Sequence, residues 1–381
     1  MLKLEKRFRR GQRFLLKRTL VLLELWGKYL ILSSSTDGKI TYGRAAVIFS
    51  IACVITYLIA FLIAANRTDV LDNENYLNYF SHNDLLTVLW QKIVSEESIL
   101  KSFLMIFTEE IFWLVLAHLV GAFLSPAAAT VAAVIFLNVA IFLGMSRFKG
   151  FPIGVILWIA LPMCLSVVGF FQIRQGLAFS VFCLFYFLGG PVVLGAVIAS
   201  AIHTTFLVPL VIVLMARIFR GERRPLLFIF ACIVVFGAIA SLGGILFADF
   251  AGRRADIYET DEGVSSFNYL VGVILLAAPS LSLVLSNKDR PVGLSQLGCQ
   301  LSVGISIWLI VCFFLFPIGT SRVGYYSAMF FLFPLVMEID EIWSRHKMAL
   351  ILNFAAVIIL IYGGIKSGTY DQILIGFRGI L

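Results

Sequence analysis

Charged residues are scarce in this chain of 381 residues, at 14% of the sequence against 60% for hydrophobic residues. A soluble domain contains about a quarter charged residues, so the composition excludes an ordinary soluble protein. The apolar runs are about 20 residues long and lack the alternating pattern of a transmembrane β-barrel. We therefore predict an all-α, polytopic integral membrane protein with about 10–11 transmembrane or re-entrant helices. The apolar segments lie at 45–65, 103–123, 127–145, 152–170, 171–189, 192–218, 225–247, 268–286, 295–317, 323–339 and 347–364.

The signatures of several enzyme classes are missing as well. There is no Walker A motif, no GxSxG, no HExxH and no diiron pattern, and the six cysteines lack CxxC spacing. The cysteines fall in apolar runs, where they are typical of small core residues. These absences disfavour an ATP-driven or sugar-nucleotide-dependent activity, and they predict no metal site and no cofactor. The substrate would therefore arrive already activated, as a lipid pyrophosphate does.

Positive charge is concentrated at the N-terminus, where residues 1–32 hold nine Lys or Arg against two Glu in a chain of net charge +8. Interleaved with Leu, Phe and Trp, these residues predict an amphipathic helix on the cytoplasmic leaflet. We predict a cytoplasmic segment over 1–42 and one membrane domain over 43–381, with external loops near 66–102 and 248–267. The membrane context disfavours a nucleic-acid partner.

Basic loops predict the orientation, because short cytoplasmic loops are rich in Lys and Arg. The N-terminus, 216–224, 286–290 and 343–347 are accordingly predicted to be cytoplasmic. The loop SRFKG (146–150) leaves two arrangements open. It lies outside if all six apolar segments between the N-terminus and the basic loop 216–224 cross the membrane. It is cytoplasmic if two of them fail to cross, with 103–123 and 192–218 as the candidates, and we favour this second arrangement.

Arginines near the outer face or inside the membrane are the most informative polar residues, because the positive-inside bias opposes them. An anionic ligand outside would offset that cost, and the planar guanidinium suits phosphate well. Arg174 and Arg322 lie beside apolar helix with no carboxylate nearby in sequence, whereas the others could snorkel or pair locally. The set is Arg67, Arg174, Arg253, Arg254 and Arg322.

Acidic and neutral polar residues supply candidates for proton transfer. Glu109 and Glu110 lie inside an apolar run and need a partner, which is either an arginine or a sugar hydroxyl. His203 stands alone in VIASAIHTTFLVP, as a packing residue or as a base. Asp72 and Tyr76 belong to an aromatic and acidic stretch that suits carbohydrate but also fits an ordinary loop.

Five short motifs occur in the order seen in the EpsG/Wzy-type bacterial polysaccharide polymerases, which this chain resembles from about residue 70 to 335. The resemblance is carried by DNENYLNYF (72–80), TEEIFWLVLAHL (108–119), IRQGLAFSVF (173–182), AIHTTFLVP (201–209) and SRVGYYSAMFFLFPL (321–335).

The resemblance implies a GT-C-like, metal-independent glycosyltransferase in the bacterial inner membrane, with a cytoplasmic N-terminus. It would join undecaprenyl-pyrophosphate-linked oligosaccharide repeat units at the periplasmic face, with a chain-length regulator as an open further partner. The implied substrate-binding residues are Arg174, Gln175, Arg322, Arg253, Arg254, Tyr76, Tyr325 and Tyr326, and the implied catalytic residues are Glu109, His203 and Asp72.

Three other functions stay open from sequence. An O-antigen ligase uses the same donor but usually has a large periplasmic loop, and 248–267 is short. A flippase or transporter of lipid-linked oligosaccharide tends to have internal repeats and more spans. A membrane acyltransferase that modifies surface sugars is the third.

Overall fold

The structure is a computed structural model whose described residues all belong to one compact unit, 65–373. Asp72, Arg253, Arg254 and the predicted N-terminal segment 1–42 lie outside the described residues, and so does the side chain of Arg322. The described residues are 73–81, 84–96, 98, 102, 105–107, 109–164, 172–219, 225–250, 267–286, 291–316 and 318–366.

Helices account for all the regular elements within these ranges. The first group comprises α1 (Asn73–Ser81), α2 (Asp84–Ser95), α3 (Ile111–Gly121), α4 (Pro126–Met145) and α5 (Phe151–Ala160). The second comprises α6 (Ile173–Phe187), α7 (Val192–Ile202), a 3₁₀ turn (Thr204–Phe206), α8 (Leu207–Ile218) and α9 (Pro225–Phe250). The third comprises α10 (Phe267–Leu276), α11 (Ala278–Leu285), α12 (Gly293–Leu315), α13 (Ile318–Phe330), α14 (Leu332–Met337), α15 (Ile339–Arg345) and α16 (Lys347–Lys366).

Helix length and composition confirm the predicted fold class, an all-α polytopic membrane protein. Among the described residues, four helices are long and apolar enough to cross a membrane: α4, the first 18 residues of α9, α12 and α16. A fifth span is formed if Val323–Met337 and Ile339–Arg345 are taken together across their 83° bend. Shorter apolar helices, of 10–17 residues, make up much of the rest, including α3, α6 and α7.

Proline residues mark where many of these helices begin. A proline in the first turn loses no hydrogen bond that the helix would otherwise make, and its fixed φ suits the helix. Pro209 accordingly lies in the first turn of α8, and the apolar segment 192–218 is broken just before it, at an extended His203 (φ −146°, ψ 119°). Further first-turn prolines are Pro126, Pro152, Pro225, Pro279 and Pro334.

Aromatic side chains of α6 pack against those of α13 and α14. Phe182 stacks on Phe333 with ring centroids 6.4 Å apart and meets Phe330 edge-on at 5.7 Å. Phe179 contacts the same two rings at 5.7 and 5.3 Å. Edge and offset contacts of this kind add about 0.5–1.5 kcal/mol per pair beyond burial. These contacts therefore fix α6 beside α13 and bring the start of α6 close to the middle of α13.

Candidate functional site

Three polar side chains that lie far apart in sequence meet inside the helical bundle. Glu110 precedes α3, Arg174 lies in the first turn of α6, and His203 lies between α7 and the 3₁₀ turn. The side chains of Glu110 and His203 are only 3% and 7% exposed, while that of Arg174 is 21% exposed. The structure thus joins three of the sequence motifs at one point.

The Glu110 carboxylate is the centre of this group. Its Oε2 atom forms an ion pair with Nη1 of Arg174. Its Oε1 atom lies 3.1 Å from Nδ1 of His203 and accepts a hydrogen bond from the backbone N–H of Thr204 at 3.3 Å. Thr204 is the first residue of the 3₁₀ turn, and the N–H groups at the N-terminus of a helix favour a negative charge such as this carboxylate. A buried carboxylate is costly unless it is paired in this way.

Glu110 also has an unusual backbone. Its φ of 55° and ψ of 50° are left-handed, and among the described residues it is the one non-glycine residue with positive φ. Flanking hydrogen bonds hold this conformation, from Glu110 N–H to Phe107 O at 3.2 Å and from Trp113 N–H to Glu110 O at 2.9 Å. Such a conformation costs about 1–3 kcal/mol and is found most often at functional sites.

Glu109, which the sequence analysis takes as the catalytic carboxylate, lies outside this group. Its Oε1 atom pairs with Nζ of Lys92 at 2.9 Å, and both side chains are well exposed, at 37% and 60%. The left-handed turn at residue 110 directs the two neighbouring carboxylates to different surroundings. Of the two partners expected for the glutamate pair, Glu110 has the arginine. The catalytic role of either glutamate stays a prediction.

Aromatic rings from α1 cover the Arg174 guanidinium. Its Cζ atom lies 5.2 Å from the centroid of the Tyr79 ring, a distance suited to a cation–π contact. Tyr76, which is buried, hydrogen-bonds to the same guanidinium. Both tyrosine rings meet Trp113 edge-on, at 5.9 Å for Tyr76 and 5.8 Å for Tyr79. The predicted substrate residue Tyr76 is therefore adjacent to Arg174.

The two threonines that follow His203 connect it to the segment before Glu110 and to α13. Thr204 Oγ1 donates to Phe107 O at 2.8 Å, which ties the 3₁₀ turn to the segment before Glu110. Thr205 Oγ1 lies 3.3 Å from Nδ1 of His203 and donates to the hydroxyl of Tyr326 at 3.2 Å. Tyr326 is fully buried and hydrogen-bonds with the side chain of Gln175, itself fully buried. Neither residue presents surface to a sugar here.

The remaining predicted site residues either belong to α13 or lie outside the described residues. Tyr325 is half-buried in α13. The backbone of Arg322 lies one helical turn before Tyr326 in the same helix. Asp72, Arg253 and Arg254 have no described position, so their predicted roles stay predictions.

Thr204 and Thr205 are site residues that the sequence analysis did not single out. A signal was present, because HTT is a polar triplet inside a long apolar segment and stands a few residues before Pro209. Such a combination indicates a helix break, and freed backbone groups at a break need polar partners. Within the described ranges, no group of three or more His, Cys, Asp or Glu side chains is placed to hold a metal ion.

Comparison with known proteins identifies a family. No curated protein and no solved structure matches this chain. The model of the EpsG family matches residues 50–374, which include Glu110, Arg174, His203 and Tyr326. This match covers most of the sequence, and the chain therefore belongs to the EpsG family.

Proposed function

We propose that this protein is a polysaccharide polymerase that joins undecaprenyl-pyrophosphate-linked oligosaccharide repeat units at the periplasmic face of the inner membrane. Membership of the EpsG family supports polysaccharide polymerase-like, glycosyltransferase-type function in general. The observation that carries the finer proposal is the buried group formed by Glu110, Arg174 and His203. This group brings together Arg174, a cation that can bind an anion, and His203, a candidate base.

Arg174 is the residue proposed to hold the donor diphosphate. A guanidinium has five N–H donors, and Glu110 engages it at one of them, on Nη1. The Nε atom is buried and has no hydrogen-bond partner among the described residues, whereas the side chain as a whole is the most exposed of the three. Glu110 and the Tyr79 ring hold the guanidinium in place, and donors on its terminal nitrogens are proposed to bind a phosphate oxygen. Arg322, Arg253 and Arg254 are proposed to assist it.

His203 is proposed to take the proton of the acceptor sugar. The acceptor hydroxyl oxygen attacks the anomeric carbon of the donor, and the bond from that carbon to the pyrophosphate oxygen breaks with its electron pair. The hydroxyl proton passes to the imidazole, while undecaprenyl pyrophosphate leaves with one additional negative charge beside Arg174. Stabilisation of a leaving anion by fixed donors is often the largest contribution to catalysis. Glu110 replaces Glu109 in this proposal because it contacts the histidine.

Contacts at the far end of α6 support a site on the outer side. Arg147, in the SRFKG loop, donates from Nη1 to Phe187 O at 3.0 Å, at the last residue of α6. In the same loop, Lys149 pairs with Asp340 at 3.0 Å, and Gly150 N–H donates to Val336 O. The loop therefore shares a side with the basic segment 343–347, which the positive-inside rule assigns to the cytoplasm.

Arg174 lies at the opposite end of the same helix. Thirteen residues separate it from Phe187 (the first turn and the end of α6), a rise of about 20 Å at 1.5 Å per residue. A site at that end is directed away from the basic loops. This supports the arrangement in which SRFKG is cytoplasmic and the reaction takes place on the periplasmic side.

The test compares a strain that lacks this gene with strains complemented by variants. Arg174→Ala and His203→Ala should each abolish long chains and leave single repeats on the acceptor. His203→Ala removes the proposed general base, which contributes about 10²–10⁴-fold to the rate, and Arg174→Ala removes the proposed diphosphate ligand. Chain length is measured on gels and protein level in membranes by immunoblot. Arg345→Ala is the matched control, since Arg345 forms an exposed pair with Glu341 away from the site.

Other outcomes separate the rival functions. A complete loss of repeats from the acceptor in the deletion strain would indicate a ligase or a flippase, and normal chain length with altered substituents an acyltransferase. A full polymer ladder from both Arg174→Ala and His203→Ala would contradict the proposed roles.

A further inference from the structure

We propose that Thr205 and Tyr326, together with Glu110, fix His203 in the tautomer that carries its proton on Nδ1. The catalytic consequence rests on the proposed function. In that function, Nε2 is the nitrogen that receives the proton of the acceptor hydroxyl. Thr205 and Tyr326 are then positioning residues, since they act through His203 and touch no reacting atom.

The groups near Nδ1 of His203 include two side-chain oxygens and one backbone N–H. Oε1 of Glu110 is 3.1 Å away and Oγ1 of Thr205 is 3.3 Å away. The backbone N–H of Thr205 is 3.4 Å away. The carboxylate oxygen can only accept a hydrogen bond and the backbone N–H can only donate one, so a single protonation state cannot satisfy both.

The carboxylate favours the state in which Nδ1 carries the proton. Without a proton, the Nδ1 lone pair would face an anionic oxygen in a site where Glu110 is almost fully buried and water screens little. With a proton, Nδ1 makes a charge-assisted hydrogen bond, which is about twice as strong as a neutral one. The backbone N–H offers the longest of the three contacts. The geometry therefore assigns the proton to Nδ1.

The hydroxyl of Thr205 adds a second acceptor with a defined direction. It donates its own hydrogen to the Tyr326 hydroxyl at 3.2 Å, which leaves its lone pairs for Nδ1–H. Tyr326 is in turn held by the Phe206 ring, edge-on at 5.2 Å, and by its hydrogen bond with Gln175. These contacts give the hydrogen of the Thr205 hydroxyl one favoured direction, towards Tyr326.

The charges around the imidazole fit the same assignment. Arg174 neutralises Glu110 through its other oxygen, and Tyr326 is the titratable group that faces the pair from α13. When the imidazole accepts a proton on Nε2, the resulting cation keeps its Nδ1–H on Glu110. This arrangement parallels the way a buried carboxylate orients the histidine of a catalytic triad.

The direct test is nitrogen NMR on the full chain, labelled with ¹⁵N-histidine and reconstituted in lipid bilayers. The His203 signals are identified by their loss in His203→Asn. We expect a protonated Nδ1 and an unprotonated Nε2 in the native protein. We expect a mixture of tautomers in Thr205→Val, with the native signals retained in Thr205→Ser. Protonation at Nε2 in the native protein, or unchanged signals in Thr205→Val, would overturn the inference.

A kinetic test separates positioning from folding. Thr205→Val and Tyr326→Phe should lower kcat by about 10-fold with KM nearly unchanged, because only the transition state needs the oriented base. Thr205→Ser should restore kcat. Thr130→Val is the matched control, because Thr130 is more deeply buried than Thr205 but bonds only a carbonyl of its own helix, Pro126 O at 2.9 Å.

The two tests fail in different ways. If the proposed polymerase function is wrong, the native protein gives no polymer in the kinetic assay while the NMR result still stands. If the tautomer inference is wrong, the native protein polymerises normally and Thr205→Val behaves like Thr130→Val.

Discussion

At the scale of single residues, Glu110 combines a left-handed backbone with a buried carboxylate. Left-handed residues other than Gly, Asn and Asp are uncommon, because Cβ crowds the backbone. The conformation aims the carboxylate at Arg174 and at the start of the 3₁₀ turn. One backbone dihedral thus decides which of two adjacent glutamates enters the site.

The adjacent glutamates give a matched pair of variants. Glu110→Gln should reduce polymer formation by about 100-fold or more, because the amide keeps the shape but loses the charge that holds His203 and Arg174. Glu109→Gln should leave chain length close to that of the native protein, since an exposed pair contributes about 0–1 kcal/mol. Chain-length distribution at equal membrane protein level is the measurement.

The control for this pair is the thermal stability of both purified variants in one detergent. Loss of polymer in Glu109→Gln with a native-like Glu110→Gln would reverse the assignment that we propose.

Sequence reasoning found part of the site for a simple reason. Arg174 and His203 are conspicuous because polar residues in apolar helix carry a large cost and so need an explanation. Glu110 could not be separated from Glu109, because the choice depends on a dihedral angle. The contact between Thr205 and Tyr326 spans 121 residues and follows only from the packing of α13.

At the scale of helices, the decisive feature is that several predicted spans are broken. The apolar segment 192–218 divides at His203, and 103–123 is interrupted between the helical residues 105–107 and the start of α3 at Ile111. Hydropathy predicted both segments correctly as apolar, but it averages over a window and does not locate a single extended residue. The prolines mark the helix starts more precisely than hydropathy does.

Close packing holds together α7 and α6, the helices that end at His203 and begin beside Arg174. A Cβ atom at Gly195 would lie 2.5 Å from Cβ and 2.7 Å from Cγ of Phe185. Both atoms are at the base of the phenylalanine side chain, so rotation about χ2 cannot remove the clash. We therefore expect Gly195→Ala to destabilise the protein by about 1–3 kcal/mol and to reduce polymerisation.

The matched control is Gly237→Ala, in the middle of α9, where nothing lies within 4 Å of an added Cβ. It should match or slightly exceed the native thermal stability, since alanine favours helix by about 1 kcal/mol or less. Thermal unfolding in one lipid or detergent mixture reads out both variants. Equal stability of the two would show that α7 and α6 tolerate separation.

At the scale of the whole molecule, the main question is which side of the membrane each end of α6 faces. Counting apolar segments did not decide on which side of the membrane the SRFKG loop lies. Such a count gives the side only if every segment crosses the membrane completely. The pair formed by Lys149 and Asp340 is a contact over 191 residues that no local pattern encodes. It links SRFKG to the segment before 343–347 and favours one of the two arrangements.

Cysteine labelling checks this arrangement. In a variant without native cysteines, Lys149→Cys and Trp343→Cys are at exposed positions near the predicted cytoplasmic cluster. Asn78→Cys is exposed on α1, the helix that covers Arg174. A membrane-impermeant maleimide should label residue 78 in intact spheroplasts, and residues 149 and 343 only after the membrane is opened.

The same experiment can contradict the proposal in two ways. Labelling of 149 and 343 from opposite sides would separate SRFKG from the basic segment. Labelling of residue 78 only after the membrane is opened, as expected for residue 149, would place the Arg174 end of α6 on the cytoplasmic side.

The short helices around the site have a consequence for the surrounding bilayer. The helices α3 and α7 have 11 residues each and α6 has 15. At 1.5 Å per residue they are about 16–22 Å long, well below a hydrocarbon thickness of about 30 Å. Lipid beside short helices thins, or water fills the difference. For the donor that we propose, this arrangement would let the diphosphate head group reach the depth of Arg174 while it stays hydrated and its isoprenoid tail remains among the acyl chains.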